Sequence, residues 1–143
     1  MIQVICPVCG AALEPQGTAW RCAQGHCFDV ARQGYVNLLT VTQKHSRHPG
    51  DTREMVAARR AFLDAGWYAP IAKTLADLVR RFCPETASVL DAGCGEGYYL
   101  SQLGWVPERW GIDISRDAVR YAAARDRGAH WLTATAAHLP FAD

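Results

Sequence analysis

The sequence predicts an α/β protein, in which a parallel sheet flanked by helices follows a small module held together by a metal. Two observations carry this prediction. From Ser88 onward, short apolar runs alternate with helical patterns, and strands separated by helices return parallel through right-handed crossovers. Ahead of them, CPVCG and CAQGHC place two pairs of metal-ligating side chains inside a segment broken by Pro7, Gly10, Pro15, Gly17, Gly25 and Gly34.

That first segment, residues 1–37, is read as hairpins with no helix long enough to bury a core, so it needs a staple. Cys6-x2-Cys9-Gly is a turn that lets two thiolates reach one zinc while backbone N–H groups of the turn bond to the sulfurs. Twelve residues separate Cys9 from Cys22, as in a two-knuckle ribbon. Spacing admits either His26 or Cys27 as the fourth ligand. Alternation of side chains in extended backbone puts His26 on the same side as Phe28, which such a small module must bury. Four protein ligands leave no open position, so the zinc is expected to be structural. The chain lacks the basic start and apolar core of an export signal and lacks about 18 consecutive apolar residues for a membrane helix. Six cysteines then point to a reducing, cytoplasmic setting in which metal binding is favoured over disulfides. Cys83 and Cys94 stand apart and are expected to be small buried hydrophobes.

Residues 38–66 are read as a basic linker and helix. Between Gln43 and Arg60, Lys44, Arg47, Arg53, Arg59 and Arg60 face only Asp51 and Glu54, although the net charge of the whole chain, +1, says nothing about nucleic acid. Asp51 or Thr52 can cap a helix with Met55, Val56, Ala58, Phe62 and Leu63 on one face, ending at Gly66. Residues 67–143 form the α/β part. Pro70 suits a first helical turn, Ile71, Leu75, Leu78, Val79 and Phe82 recur at helical spacing, and Pro84 ends the helix. SVLDA, RWGIDI and the run from His130 to Thr135 read as strands; helices open after the glycine turn near Tyr98 and at Ser115.

VLDAGCGEGYY is the most informative stretch. A strand ends at Asp91, and Gly93, Gly95 and Gly97 follow at alternate positions, allowing close approach of a ligand to backbone at the carboxyl end of the first strand. The spacing differs from the dinucleotide fingerprint. The carboxylate ahead of the turn would repel a pyrophosphate and attract a cationic ligand. Asp113 ends the second strand, where a carboxylate can accept hydrogen bonds from both hydroxyls of a ribose.

VLDAGCGEGYY and GIDIS resemble the first two motifs of the class I S-adenosylmethionine-dependent methyltransferases, which have a Rossmann-like fold. The resemblance implies that Asp91, Gly93, Gly95, Glu96 and Gly97 surround the methionine end of that cofactor and that Asp113 holds its ribose. TATAAHLPFAD is similar to the third motif, but this chain has Thr135 where many members carry an acid, so no adenine contact is assigned there. CPVCG, the Cys22/His26 pair, FDVARQGYVNLL, HPGDTREMV and ARRAFLDAGWY occur in the same order in the 23S ribosomal RNA guanine-N1 methyltransferases, and this narrower resemblance covers essentially the whole chain. It implies a histidine ligand at His26, giving a zinc set of Cys6, Cys9, Cys22 and His26 with Cys27 in reserve, and it implies Tyr68 at the cofactor.

The reaction implied is methyl transfer to N1 of a guanine in a 23S ribosomal RNA hairpin. Lys44, Arg47, Arg53, Arg59 and Arg60 are candidate phosphate contacts, and Trp20, Tyr35 and Trp67 candidate stacking platforms. No catalytic residue is assigned. Asp51 is a candidate proton acceptor that a helix N-cap explains more simply. A homodimer is admissible but is not decided by the sequence. The chain stops after the third strand of a sheet that has seven in this class. It is therefore expected to be incomplete, to expose an edge of the first strand and an apolar helix face, and to lack methyl transfer by itself.

Overall fold

The computed structural model describes residues 2–85 and 87–143. The N-terminal module is a three-stranded antiparallel sheet of β1 (Leu13–Gln16), β2 (Ala19–Cys22) and β3 (Cys27–Asp29), in that order. The next strand, β4 (Tyr35–Asn37), leaves the module and pairs parallel with β7 (His130–Thr133). Completed by β5 (Ser88–Ala92) and β6 (Glu108–Asp113), the second sheet is parallel in the order β4-β7-β6-β5.

β4 joins the second sheet although it lies within the segment read as the metal module. Tyr35 and Val36 are successive buried residues facing opposite sides, the pattern of a strand covered on both faces. A strand of only three residues carries no periodicity from which to read this.

Helix α1 (Arg53–Asp64) starts where the Thr52 hydroxyl accepts the Met55 N–H and stops at Gly66, the first position where the chain turns left-handed. Of its expected apolar face, Val56 and Leu63 are buried, while Met55 and Phe62 stay exposed. In α2 (Ala69–Phe82) the side turned to the core is the small one, Ala72 and Ala76 with Val79 partly covered. The larger stripe read from the sequence, Ile71, Leu75, Leu78 and Phe82, is exposed. Beside it β5 is an edge strand, paired with β6 alone among the described residues. Cys94 is buried as expected, but Cys83 is exposed, standing at the C-cap of α2 where the helix ends before Pro84.

The parallel sheet is covered on two faces. On one, α4 (Arg116–Arg125), capped by Ser115, packs Val119, Ala122 and Ala123 around Trp131. On the other lies the metal module, with Val4, Cys6, Leu13 and Cys22 in one cluster with Trp110, Ile112 and Leu132. Trp110 is the hinge of that contact: it meets Trp20 edge-on at 6.3 Å and stacks on His130 at 4.3 Å. The two sheets therefore share a core, and α3 (Tyr98–Ser101) closes the glycine turn above it.

Candidate cofactor cleft and metal centre

The parallel register aligns Asp91 with Gly111 and Ala92 with Ile112, so β5 and β6 end side by side. The chain after β5 folds back over β6, with the N–H groups of Gly93 and Cys94 both donating to the Ile112 carbonyl. One turn further, the Gly95 N–H donates to Asp113 Oδ2 at 2.9 Å, while the Ser115 N–H donates to Oδ1 at 2.8 Å. Asp113 thus pins the glycine turn to the end of its own strand. Each of its oxygens keeps a further lone pair with which to accept a hydroxyl.

Asp91 is held above the usual carboxylate range, first by burial and then by the negative charge of Asp113. Two carboxylates at adjacent strand ends, one of them resisting ionisation, suit a ligand that brings positive charge. The space above Gly93 and Gly95 is open: no atom lies within 4 Å of where a Cβ would sit on either. Gly97 differs. Its φ is +85°, and a Cβ there would lie 2.8 Å from the Trp131 ring and 3.0 Å from Ala122, so this glycine lets α3 seat against α4 and β7.

The structure therefore brings Asp91, Gly93, Gly95 and Asp113 to one mouth. Glu96 is buried beside them, but its carboxylate pairs with Arg125 at 2.6 Å, and the same guanidinium reaches Asp64 of α1 at 2.8 Å. Nothing in the sequence singled out Arg125 or Asp64, because a charge in the last turn of a helix is ordinarily solvated. Tyr68 stands at the start of α2, half exposed and edge-on to Phe62 at 5.0 Å. The Tyr99 hydroxyl is raised by burial and then by Tyr68, Tyr98 and Glu96. Asp51 does not cap α1; its carboxylate pairs with Arg59 at 3.0 Å and its carbonyl accepts from the Ser115 hydroxyl. Among the aromatics read as stacking platforms, Tyr35 is buried and Trp20 packs on Trp110, whereas Trp67 is exposed.

At the far end of the module, donor atoms of Cys6, Cys9, Cys22 and His26 all lie within 4.8 Å of one another. Cys9 Sγ is 3.7 Å from Cys22 Sγ, and His26 Nδ1 is 3.4 Å from Cys22 Sγ and 3.6 Å from Cys6 Sγ. A tetrahedral zinc with bonds of about 2.3 Å to sulfur and about 2.0 Å to nitrogen requires edges of about 3.8 Å and about 3.5 Å. The three distances given match those edges, so the donor set suits a tetrahedral zinc. The Cys22 thiol is lowered to about 6: burial opposes ionisation, but backbone N–H groups of His26 and Gln24 and the His26 ring favour the thiolate. Cys27, paired with Arg21 in the strand ladder, is exposed and outside the cluster. Phe28 turns to the shared core.

Comparison with known proteins finds matches over both parts of the chain. Residues 4–47 match the family model described as RlmA, N-terminal, a zinc ribbon, and residues 90–143 match the model described as Methyltransferase domain. The chain is 41% identical to a putative 23S rRNA (guanine-N(1)-)-methyltransferase of Micromonospora griseorubida, over 96% of this chain and 53% of the relative. It is 45% identical to the 23S rRNA (guanine(748)-N(1))-methyltransferase of Streptomyces fradiae, over 82% of this chain and 43% of the relative. With the putative 23S rRNA (guanine-N(1)-)-methyltransferase YxjB of Bacillus subtilis it shares 32% identity, over 96% of this chain and 51% of the relative. The chain thus spans about half the length of the curated relatives it matches.

Proposed function

We propose that this chain, which belongs to the methyltransferases built from an RlmA zinc ribbon and a methyltransferase domain, binds S-adenosylmethionine and serves methylation of a 23S ribosomal RNA hairpin at guanine N1. One observation carries the reading: Asp91 and Asp113 end adjacent strands beneath an open glycine turn, on the sheet whose opposite face holds the ribbon. The bound cofactor supplies an electrophilic methyl carried on a sulfonium.

The residues do the rest by binding and orientation. Asp113 offers its remaining lone pairs to the two ribose hydroxyls while its hydrogen bonds to Gly95 and Ser115 hold it in place. Asp91 places negative charge near the cationic end, and the backbone at Gly93 and Gly95 admits the ligand closely. Glu96 and Tyr68 border the same turn. Cys6, Cys9, Cys22 and His26 hold a structural zinc that fixes the ribbon as a rigid RNA-facing surface. We assign the chain to the cytoplasm on the ribosomal RNA named for its relatives; among the described residues, no helix is long and apolar enough to cross a bilayer.

Two calorimetric titrations test the proposal, one with S-adenosylmethionine and one with a hairpin from 23S ribosomal RNA. Binding of both supports it. Cofactor binding without RNA binding favours a protein or small-molecule acceptor, and RNA binding without cofactor favours a non-catalytic RNA-binding module. Sedimentation of the same samples distinguishes a single copy from a homodimer on the RNA.

A further inference from the structure

Beside the cofactor mouth, at the carboxyl ends of β4 and β7, lies a cavity of about 560 Å³. Its floor includes Ile114 and Ser115, the two residues that follow Asp113. Its rim carries Lys44 and Arg47 from the loop after β4, Arg53 from the start of α1, and Arg116 and Arg120 from the first turns of α4. Three carboxylates share the lining, Asp51, Glu54 and Asp117. Asp51 is already paired with Arg59, which stands outside the cavity, and Asp117 with Arg120 at 3.5 Å. With those two acids paired, Glu54 is the carboxylate left facing Lys44, Arg47, Arg53 and Arg116, so the cavity is cationic.

Arg116 is built into this wall. Its Nε donates to the hydroxyl of Tyr35 at 3.2 Å, and Tyr35 is 4% exposed, so the guanidinium is anchored at one edge while its two terminal nitrogens donate to no described residue. That leaves a fork of the geometry that binds a phosphate through two oxygens. Lys44, Arg47 and Arg53 line the cavity and form no ion pair among the described residues; Arg120 lines it too but is paired with Asp117, whereas Arg59, paired with Asp51, and Arg60, paired with Asp64 and set over the Tyr121 ring, lie outside it. The basic segment thus divides: three of its cations face the cavity and two do not. Cations converging from three separate elements across a cleft of this width suit a chain of phosphates better than a single anion.

We propose that this cavity seats the phosphodiester backbone of the RNA, held by Arg116 and Arg120 together with Lys44, Arg47 and Arg53. The assignment rests on the reading that RNA is the partner of this chain, and it places the backbone next to the cofactor mouth through Ser115.

Anisotropy of a labelled 23S hairpin, titrated across a salt series, tests it with four proteins: wild type, Arg116→Gln/Arg120→Gln, Lys44→Gln/Arg47→Gln, and Arg60→Gln, whose partner Asp64 lies outside the cavity. Each phosphate contact removed should lower the slope of log affinity against log salt by about one. The first two variants should therefore lose about two units of slope and about tenfold or more in affinity, with S-adenosylmethionine binding retained as the sign of an intact fold. The third should keep the wild-type slope. If wild type binds RNA and both cavity variants bind it with unchanged slope, the cavity is not the site, although RNA remains the partner. If wild type binds no RNA at low salt, the partner itself is wrong.

Discussion

Glu96 and Arg125 form an ion pair with 2.6 Å between Oε2 and Nη2, the Glu96 side chain being 3% and the Arg125 side chain 19% exposed. Arg125 also donates to Asp64 and to the Glu96 carbonyl, tying α1 and α4 to the turn that opens α3. A carboxylate removed from water this completely depends on its partner, because the loss of one member strands the other charge. Arg125→Met should cost about 3–5 kcal/mol of stability. Glu96→Gln with Arg125→Met together should cost less than Arg125→Met alone, since no unpaired charge remains buried. Urea midpoints of the two single variants and the double variant give the comparison; a double variant as unstable as the sum of the singles would show that the pair does not act as a unit.

The cage geometry separates two neighbouring residues. His26→Ala removes a donor that lies 3.4 Å from Cys22 Sγ, whereas Cys27→Ser changes an exposed side chain outside the cluster. His26→Ala should release zinc to a colorimetric chelator at concentrations where wild type retains it, and Cys27→Ser should behave as wild type. The opposite pattern would make Cys27 the ligand.

Asp91 gives the cofactor cleft a pH signature. Its folded-state pKa is raised by burial and by Asp113, so its contribution to stability is full below the unfolded carboxylate value and is lost as pH rises through the folded value. Asp91→Asn should therefore stabilise the ligand-free protein at neutral pH. A cationic ligand needs the ionised form, so affinity of wild type for S-adenosylmethionine should fall by about tenfold per pH unit once pH drops below the raised value. The same variant should bind more weakly at neutral pH and lose that dependence. Calorimetry between pH 4 and 8 (roughly the window set by carboxylate titration) reads both, and an Asp91→Asn protein with wild-type affinity would remove Asp91 from the cleft.

How much of this was legible in the sequence depended on how many residues each feature used. The glycine turn, its two carboxylates and the thiols Cys6, Cys9 and Cys22 were legible as rigid spacings in which residue type and chemistry coincide, whereas spacing left the fourth place between His26 and Cys27, and side alternation and the family resemblance chose His26. Thr52, Gly66, Pro84 and Ser115 marked helix ends for the same reason. The strand at Tyr35–Asn37 was not readable, being too short for any period. The contact face of α2 was not legible because alanines, which periodicity weighs little, make it. Arg116, Arg125 and Asp64 acquired these partners from 29 to 81 residues away, and no local pattern carries that.

Gly97 sits where only glycine fits. At φ +85° a side chain is strained, and its Cβ would meet the Trp131 ring at 2.8 Å. Gly97→Ala should cost about 2–5 kcal/mol, combining left-handed strain with overpacking. Adding Trp131→Phe should return part of that loss by clearing the contact. Denaturant midpoints decide it; a Gly97→Ala protein within about 0.5 kcal/mol of wild type would mean the turn relaxes freely.

Removing zinc should affect the whole chain and not the ribbon alone. Val4, Leu13 and the ligands Cys6 and Cys22 belong to the same buried cluster as Trp110, Ile112 and Leu132 of the parallel sheet. Trp20 and Trp110 touch across the boundary at 6.3 Å. If zinc is lost, the thiolates repel one another, the knuckles open, and one face of the parallel sheet loses its cover, so the free energy of metal binding stabilises both parts. Thermal unfolding followed by indole fluorescence, which reports the sheet tryptophans, should therefore shift downward on chelation in a single step, and adding zinc back should restore it. A chelated protein that loses only a small early transition, with the main one unmoved, would show that the parallel sheet stands without its ribbon.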